Sequence, residues 1–246
     1  MLCLMKAKAS NNSILNSSKL IIIEEELHLW YRHLAINCKQ TESIKLLSED
    51  EIERAEQITN AQSRMTFIES RSTLRNILAM YLDKDPKSLR LEKSLNGKPH
   101  LKGKSHLCFN IAHTNGIALF AISNGAEVGV DVERIDRRID SDAIAKRFFS
   151  IREQNILKKL SAEKKQKYFF ECWTCKEAVV KAMDKKVIYH LSEIELSENK
   201  DSIMIKDNPD AEHWRIWFPK LPNGFIGAVV RKKGQFNTNV SPTSTV

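Results

Sequence analysis

The sequence predicts a chain of mixed helices and strands arranged as two similar lobes about a pseudo-twofold axis, and three observations carry that expectation. Short apolar-alternating runs are separated by Asn-Gly turns, as at Asn96-Gly97 and Asn115-Gly116. Between them lie longer stretches with the 3.6-residue period of amphipathic helices. The second half of the chain then replays the order of the first. Ser150 and Glu153 repeat the capping-box spacing of Ser48 and Glu51 at an offset of 102 residues, and Phe169 and Glu171 stand to Phe67 and Glu69 at the same offset. Asn223-Gly224 echoes Asn115-Gly116 at an offset of 108, as though six residues had been inserted.

The elements follow in order. Residues 1–19 are polar, rich in Ser, Asn and Lys, and are expected to be disordered. An N-terminal lobe is assigned to 20–125. In it LHLWYRHL, Leu27 to Leu34, alternates as a strand, and LSEDEIERAEQI, Leu47 to Ile58, reads as a capped helix. Arg64 to Leu82 reads as a long amphipathic helix stopped by Asp85-Pro86. Leu89–Leu91, Leu107–Ile111 and Ile117–Ile122 read as short strands. A C-terminal lobe is assigned to 126–231 and a disordered tail to 232–246.

The bulk properties set bounds. A 246-residue chain can bury a sizeable core as one large domain or two small lobes. Its net charge of +8 favours an anionic partner without choosing among nucleic acid, a phosphate-rich cofactor, a membrane surface or an acidic protein. Five cysteines, an odd number in no regular framework, suit a reducing compartment. No run approaches the length of a membrane span, and the start lacks a secretory layout, so a cytoplasmic protein is expected.

Two stretches carry the chemistry. In VGVDVERID, Val128 to Asp136, alternation makes a strand with Asp131 and Glu133 on one face. Two like charges there require a cation or a shared proton, unless the face is simply solvated. Gly129 within the strand allows a ligand or another backbone to come close, and Arg134, Arg137 and Arg138 follow as phosphate-type neighbours. In FFECWTCKEAVVKA, Phe169 to Ala182, helical spacing puts Glu177 and Lys181 one turn apart, either as a surface ion pair or as a third carboxylate with its cation. Lys176 falls in the middle of the apolar face, where a bare ammonium costs several kcal/mol, so a carboxylate or phosphate is expected beside it. Cys172 and Cys175 form a CxxC in mid-helix, which reads as core packing. His113, in FNIAHT, is placed in a polar turn and is as compatible with a structural role as with a ligand role. Lys98 in an Asn-Gly-Lys-Pro turn, and Arg64, Arg71 and Arg75 along their helix, are further candidates for a phosphate.

The order NGKP, FNIAHT, VGVDVE and WTCKEAVVK resembles the 4′-phosphopantetheinyl transferases of the surfactin-synthetase (Sfp) type, marked by a (V/I)G(V/I)D(V/I)E strand and a W(S/T)xKE(A/S)xxK helix. The resemblance runs from about Leu27 to Val230. It implies an α+β fold of two pseudo-twofold-related lobes, each a small antiparallel sheet packed with helices. It implies magnesium held by Asp131, Glu133 and Glu177. It also implies transfer of the 4′-phosphopantetheine arm from coenzyme A to a serine of an acyl or peptidyl carrier protein, of fatty acid, polyketide or nonribosomal peptide type. By the same resemblance Lys181 contacts phosphates, and Lys98, His113 and Thr114 line the coenzyme A site. Lys176, Arg64, Arg71 and Arg75 are assigned to that site as well. Ala112 departs from the serine that many members carry, which removes a hydroxyl from the expected site. Glu177 is expected to take the serine proton, with Lys181 as its catalytic partner.

The expected partners are coenzyme A and an acidic carrier, with neither nucleic acid nor membrane, and the protein itself is expected to be a monomer. The competing readings are a metal-dependent nuclease, whose Glu and Lys usually stand two apart on a strand, and a non-catalytic module that binds coenzyme A or a carrier. Pure binding has no need of three carboxylates.

Overall fold

The computed structural model describes residues 2–7, 20–23, 26–34, 40–185, 191–200, 202–206 and 214–232. In the first lobe the elements run β1 (Leu2–Ala7), β2 (Leu27–His33), α1 (Gln40–Ile44), α2 (Glu49–Glu56), α3 (Ala61–Leu82), β3 (Leu91–Lys93), β4 (Pro99–Leu101), β5 (Leu107–Thr114) and β6 (Ile117–Asn124). In the second they run β7 (Val128–Arg134), α4 (Ser141–Phe148), α5 (Ile151–Lys159), α6 (Ala162–Ala182), β8 (Ile194–Leu196), β9 (Ile203–Ile205), β10 (Trp214–Trp217) and β11 (Phe225–Lys232).

The duplication is visible in the sheets. The first is antiparallel in the order β1-β2-β6-β5, the second antiparallel in the order β10-β11-β7. Strands β2, β6 and β5 therefore correspond to β7, β11 and β10, while the two small hairpins β3-β4 and β8-β9 occupy matching places. Helix α3 covers one face of the first sheet through Leu74, Ile77 and Leu78, and α6 covers the second through Phe169, Ala178 and Val179. The opposite faces of the two sheets share a third apolar cluster, in which Leu29, Ala112 and Leu119 meet Val130, Val132 and Val229. At the seam β5 lies alongside β7, where Val130 N–H donates to the buried Asn110 Oδ1 at 3.0 Å.

Each lobe also buries one cation on its long helix against the capping-box glutamate of the preceding helix. In the first, Ser48 N–H donates to Glu51 Oε2 at 3.1 Å, and Arg75 Nε donates to the same oxygen at 2.6 Å. The Arg75 guanidinium is fully enclosed and spends its other donors on Pro86 O, Leu89 O and Ser48 Oγ. In the second, Ser150 N–H donates to Glu153 Oε2 at 2.9 Å, and Lys176 Nζ lies 3.0 Å from that carboxylate, with both side chains fully buried. Lys176 also donates to Leu191 O and Ile194 O. Breaking such a pair strands a buried charge, at a cost of about 3–5 kcal/mol.

These pairs correct two assignments. Arg75 and Lys176 cannot hold coenzyme A phosphates, because each is sealed in its lobe with every direction of its charge already met by protein oxygens. The carboxylate expected beside Lys176 is Glu153.

Three further expectations change. Residues 2–7, read as part of a disordered terminus, form β1 on the edge of β2, since backbone pairing does not require the apolar pattern that residues 1–19 lack as a whole. The rest of that segment, and the tail beyond Lys232, lie outside the described residues. The first of the short strands is Leu91–Lys93 rather than Leu89–Leu91, because Pro86–Ser88 winds into a turn of 3₁₀ helix first. His113 lies inside β5, paired with Ala118, and not in a turn. Cys172 and Cys175 are free, buried thiols whose proton affinities are raised first by burial, Cys172 to about 12, as core packing requires.

Candidate active site

Strand β7 alternates as its sequence dictates. Val128, Val130 and Val132 enter the apolar cluster between the sheets, which turns Gly129, Asp131 and Glu133 toward α6. Gly129 has no room for a side chain, since a Cβ there would lie 1.9 Å from Ala178 O and 2.7 Å from Ala182 N. The close neighbour is thus the α6 backbone. Its approach brings the helix onto the acidic face of the strand.

The result is a pair of carboxylates on one ammonium, with a third carboxylate close by on the same strand face. Lys181 Nζ lies 2.5 Å from Asp131 Oδ1 and 3.4 Å from Glu177 Oε2. Asp131 is buried, and its second oxygen, Oδ2, has no hydrogen-bond partner among the described residues. Glu133 stands two residues further along, 3.5 Å from Arg137 Nη1. Burial, then the charge of Asp131, holds the Glu133 carboxyl above its usual range. Glu177 is pushed up to about 7, first by burial and then by Asp131, with Glu133 adding to the effect against the opposing pull of Lys181. Burial works against the charge of Lys181, but Asp131 and Glu177 outweigh it and hold the ammonium above its ordinary value. Among the described residues no three His, Cys, Asp or Glu side chains form a ready-made metal cage. Asp131 and Glu177 close on Lys181 instead, and Glu133 on Arg137.

The first lobe supplies the other wall. His113, near the end of β5, keeps part of its surface in solvent while the neighbouring protein desolvates the rest, so its protonated form is disfavoured first by desolvation and then by the positive charges of Lys181 and Arg71. Arg71 on α3 is held by Glu51, whose Oε1 lies 3.3 Å from Arg71 Nε while its Oε2 binds Arg75. Glu51 was legible only as a capping residue. The i, i+4 spacing of Arg71 and Arg75 on one helix was the available sign that a single carboxylate had to serve both. Thr114 closes β5 beside His113.

The remaining candidates are dispersed. Arg64 sits seven residues before Arg71, about two helical turns and 10 Å of rise away. Lys98 stands at the other end of β5, bound to Glu127 Oε2 at 2.7 Å and to Ala182 O at 3.1 Å. It borders a cleft of about 630 Å³ lined also by Phe109, Met183 and Trp214. The serine-to-alanine departure at Ala112 removes nothing from the site, because that side chain enters the buried cluster between the sheets, away from His113.

Known proteins are similar to this chain in sequence. The family model described as the 4′-phosphopantetheinyl transferase superfamily matches residues 127–230, a span that contains Asp131, Glu133, Glu177 and Lys181. The chain is 36% identical over 182 residues to the 4′-phosphopantetheinyl transferase HetI of Nostoc sp., covering 72% of this chain and 76% of that one. It is 33% identical over 147 residues to the 4′-phosphopantetheinyl transferase psf-1 of Bacillus pumilus, covering 58% and 62% respectively. With the 4′-phosphopantetheinyl transferase Sfp of Bacillus subtilis it shares 25% identity over 138 residues, covering 56% and 60%.

Proposed function

Because the chain belongs to the 4′-phosphopantetheinyl transferase superfamily, we propose that it transfers the 4′-phosphopantetheine arm of coenzyme A to a serine of an apo carrier protein, releasing adenosine 3′,5′-bisphosphate. The observation that carries this reading is the cluster of Asp131, Glu133, Glu177 and Lys181 on the β7–α6 seam, facing His113 of the other lobe.

The donor set fits magnesium. Three carboxylates exceed the charge that Lys181 returns, the buried Asp131 Oδ2 has no hydrogen-bond partner among the described residues, and Glu177 is driven toward its neutral form first by burial and then by Asp131. Magnesium commonly takes only a few carboxylates and completes its shell with water and substrate phosphate, so a closed protein cage is not required. Asp131, Glu133 and Glu177 would hold it. When bound it would neutralise the diphosphate and the charge developing on the leaving oxygen.

The chain's own residues supply the rest. The carrier serine Oγ attacks the phosphorus attached to the pantetheine arm, forming a new P–O bond while that phosphorus loses its bond to the bridging oxygen of the diphosphate, which leaves on the 5′-phosphate of adenosine 3′,5′-bisphosphate. Glu177, a carboxylate at the seam, accepts the serine proton directly or through a water. Lys181 offsets charge on the phosphoryl oxygens. His113, whose protonated form is disfavoured by desolvation and by Lys181 and Arg71, can donate one ring N–H to a phosphate. Arg71 adds a fixed positive charge on the first-lobe side. The positive balance of the chain suits an acidic carrier.

The test is incubation with coenzyme A, magnesium and an acidic apo carrier, read by intact mass. A carrier mass increase equal to the phosphopantetheine arm supports the reading. An unchanged carrier across fatty acid, polyketide and peptide types would refute it.

A further inference from the structure

The hairpin carrying Asn96-Gly97-Lys98 reaches out of the first lobe and closes on the last turn of α6 in the second. Ser94 Oγ donates to Asp184 Oδ1 at 2.7 Å, and Asn96 Nδ2 donates to Asp184 O at 2.6 Å. Lys98 Nζ donates to Ala182 O at 3.1 Å. The final carbonyls of a helix lack intrahelical partners and carry the negative end of its dipole. An ammonium and an amide donor are the groups that satisfy them.

Both sides of this contact are built for it. Asp184 adopts φ 51°, a left-handed conformation that stops α6, and Lys185 N–H turns back to Val180 O at 3.0 Å. On the hairpin, Gly97 at φ 90° makes the tip, and Ser94 Oγ accepts Lys98 N–H at 3.0 Å, so the three donors are held in register with one another. Lys98 is braced by Glu127, at the entrance to β7.

The contact matters because the candidate site is divided between lobes. His113 and Arg71 come from the first, while Glu177 and Lys181 ride on α6, and Lys181 immediately precedes the capped Ala182. Gly129 sets how closely α6 lies on β7, but both belong to the second lobe. Registration of α6 against the first lobe needs a contact from that lobe, and the hairpin provides one.

We propose that Ser94, Asn96 and Lys98 are positioning residues for the transfer reaction: they clamp the C-terminus of α6 and thereby hold Glu177 and Lys181 opposite the first-lobe half of the site. This rests on the transfer reading above. It gives the Asn-Gly-Lys-Pro turn a role through the helix, where the family resemblance assigned Lys98 to the coenzyme.

The full chain carrying Ser94→Ala and Asn96→Ala tests this without touching a charged group. Three readouts are compared with the wild type: steady-state kinetics with coenzyme A and an acidic apo carrier, hydrogen–deuterium exchange of the ligand-free protein, and the melting temperature. The expected result is a kcat about tenfold lower, as small misplacements produce, with the coenzyme A KM changed by no more than about twofold. Exchange should quicken at the amides of Met183, Asp184 and Lys185, and Ser94→Thr alone should keep near-normal kcat. Unchanged exchange at these amides would overturn the proposal. So would a raised coenzyme A KM at unchanged kcat, which would place the hairpin on the coenzyme. If the double variant melts at a much lower temperature, the exchange comparison is made on Ser94→Ala alone, with the same criterion. Should the wild type transfer nothing, the function reading fails, while the exchange result still decides whether the hairpin clamps α6.

Discussion

Replacing Glu177 by glutamine should stabilise the magnesium-free protein, and by an amount that grows with pH. The Glu177 carboxyl is raised from 4.5 to about 7, first by burial and then by Asp131. The folded state therefore binds this proton more tightly than the unfolded state does. Stability from this group is full below the unfolded value and is lost as pH climbs from about 4.5 through about 7, then levels off. At 1.36 kcal/mol per pH unit the loss is on the order of 3 kcal/mol. Glutamine keeps the shape and carries no charge, so the variant escapes the loss. Urea denaturation in chelator at pH 5 and pH 8 measures it. The stability advantage of Glu177→Gln over wild type should widen by roughly 2–3 kcal/mol between the two. An advantage of equal size at both pH values would mean that Glu177 titrates normally, and the crowding of three carboxylates would lose its energetic support.

Other outcomes follow from the same geometry. Asp131→Ala and Glu133→Ala should each cut transfer by about 10²–10⁴ while leaving the fold intact; near-normal turnover of both at saturating magnesium would remove these residues from the metal. Lys176→Ala should cost about 3–5 kcal/mol by stranding Glu153, with an unchanged coenzyme A KM in the protein that remains folded. A stable variant with only a raised KM would return Lys176 to the coenzyme site. The carrier KM should rise with salt, because exposed charges are screened beyond about 10 Å at 0.1 M, whereas coenzyme A affinity should fall less. A flat carrier KM would point to apolar docking.

The parts of the fold that were legible in the sequence are those governed by local periodicity. Val128 to Arg134 had to alternate, so Asp131 and Glu133 had to share a face, and Glu177 and Lys181 had to meet at one helical turn. The duplication was legible because both capping boxes survive as capping boxes. What the sequence left open depends on contacts distant along the chain. The apolar position of Lys176 demanded a partner, but nothing local could say that Glu153 would fill that place or that Glu51 would do the same for Arg75. Gly129 announced a close approach without saying whether ligand or backbone would make it, and α6 makes it. His113 was placed two residues outside its strand because apolar alternation fades after Ile111, whereas backbone pairing with β6 carries the strand on to Thr114.

The most direct measurement of the central claim is the product balance of a single incubation with coenzyme A, magnesium and an apo carrier. Attack of the carrier serine on the phosphorus next to the pantetheine arm requires one adenosine 3′,5′-bisphosphate for every serine modified, and Glu177→Gln should suppress both products together. Coenzyme A cleaved without carrier modification, or a nucleic acid cut under the same conditions, would contradict the account.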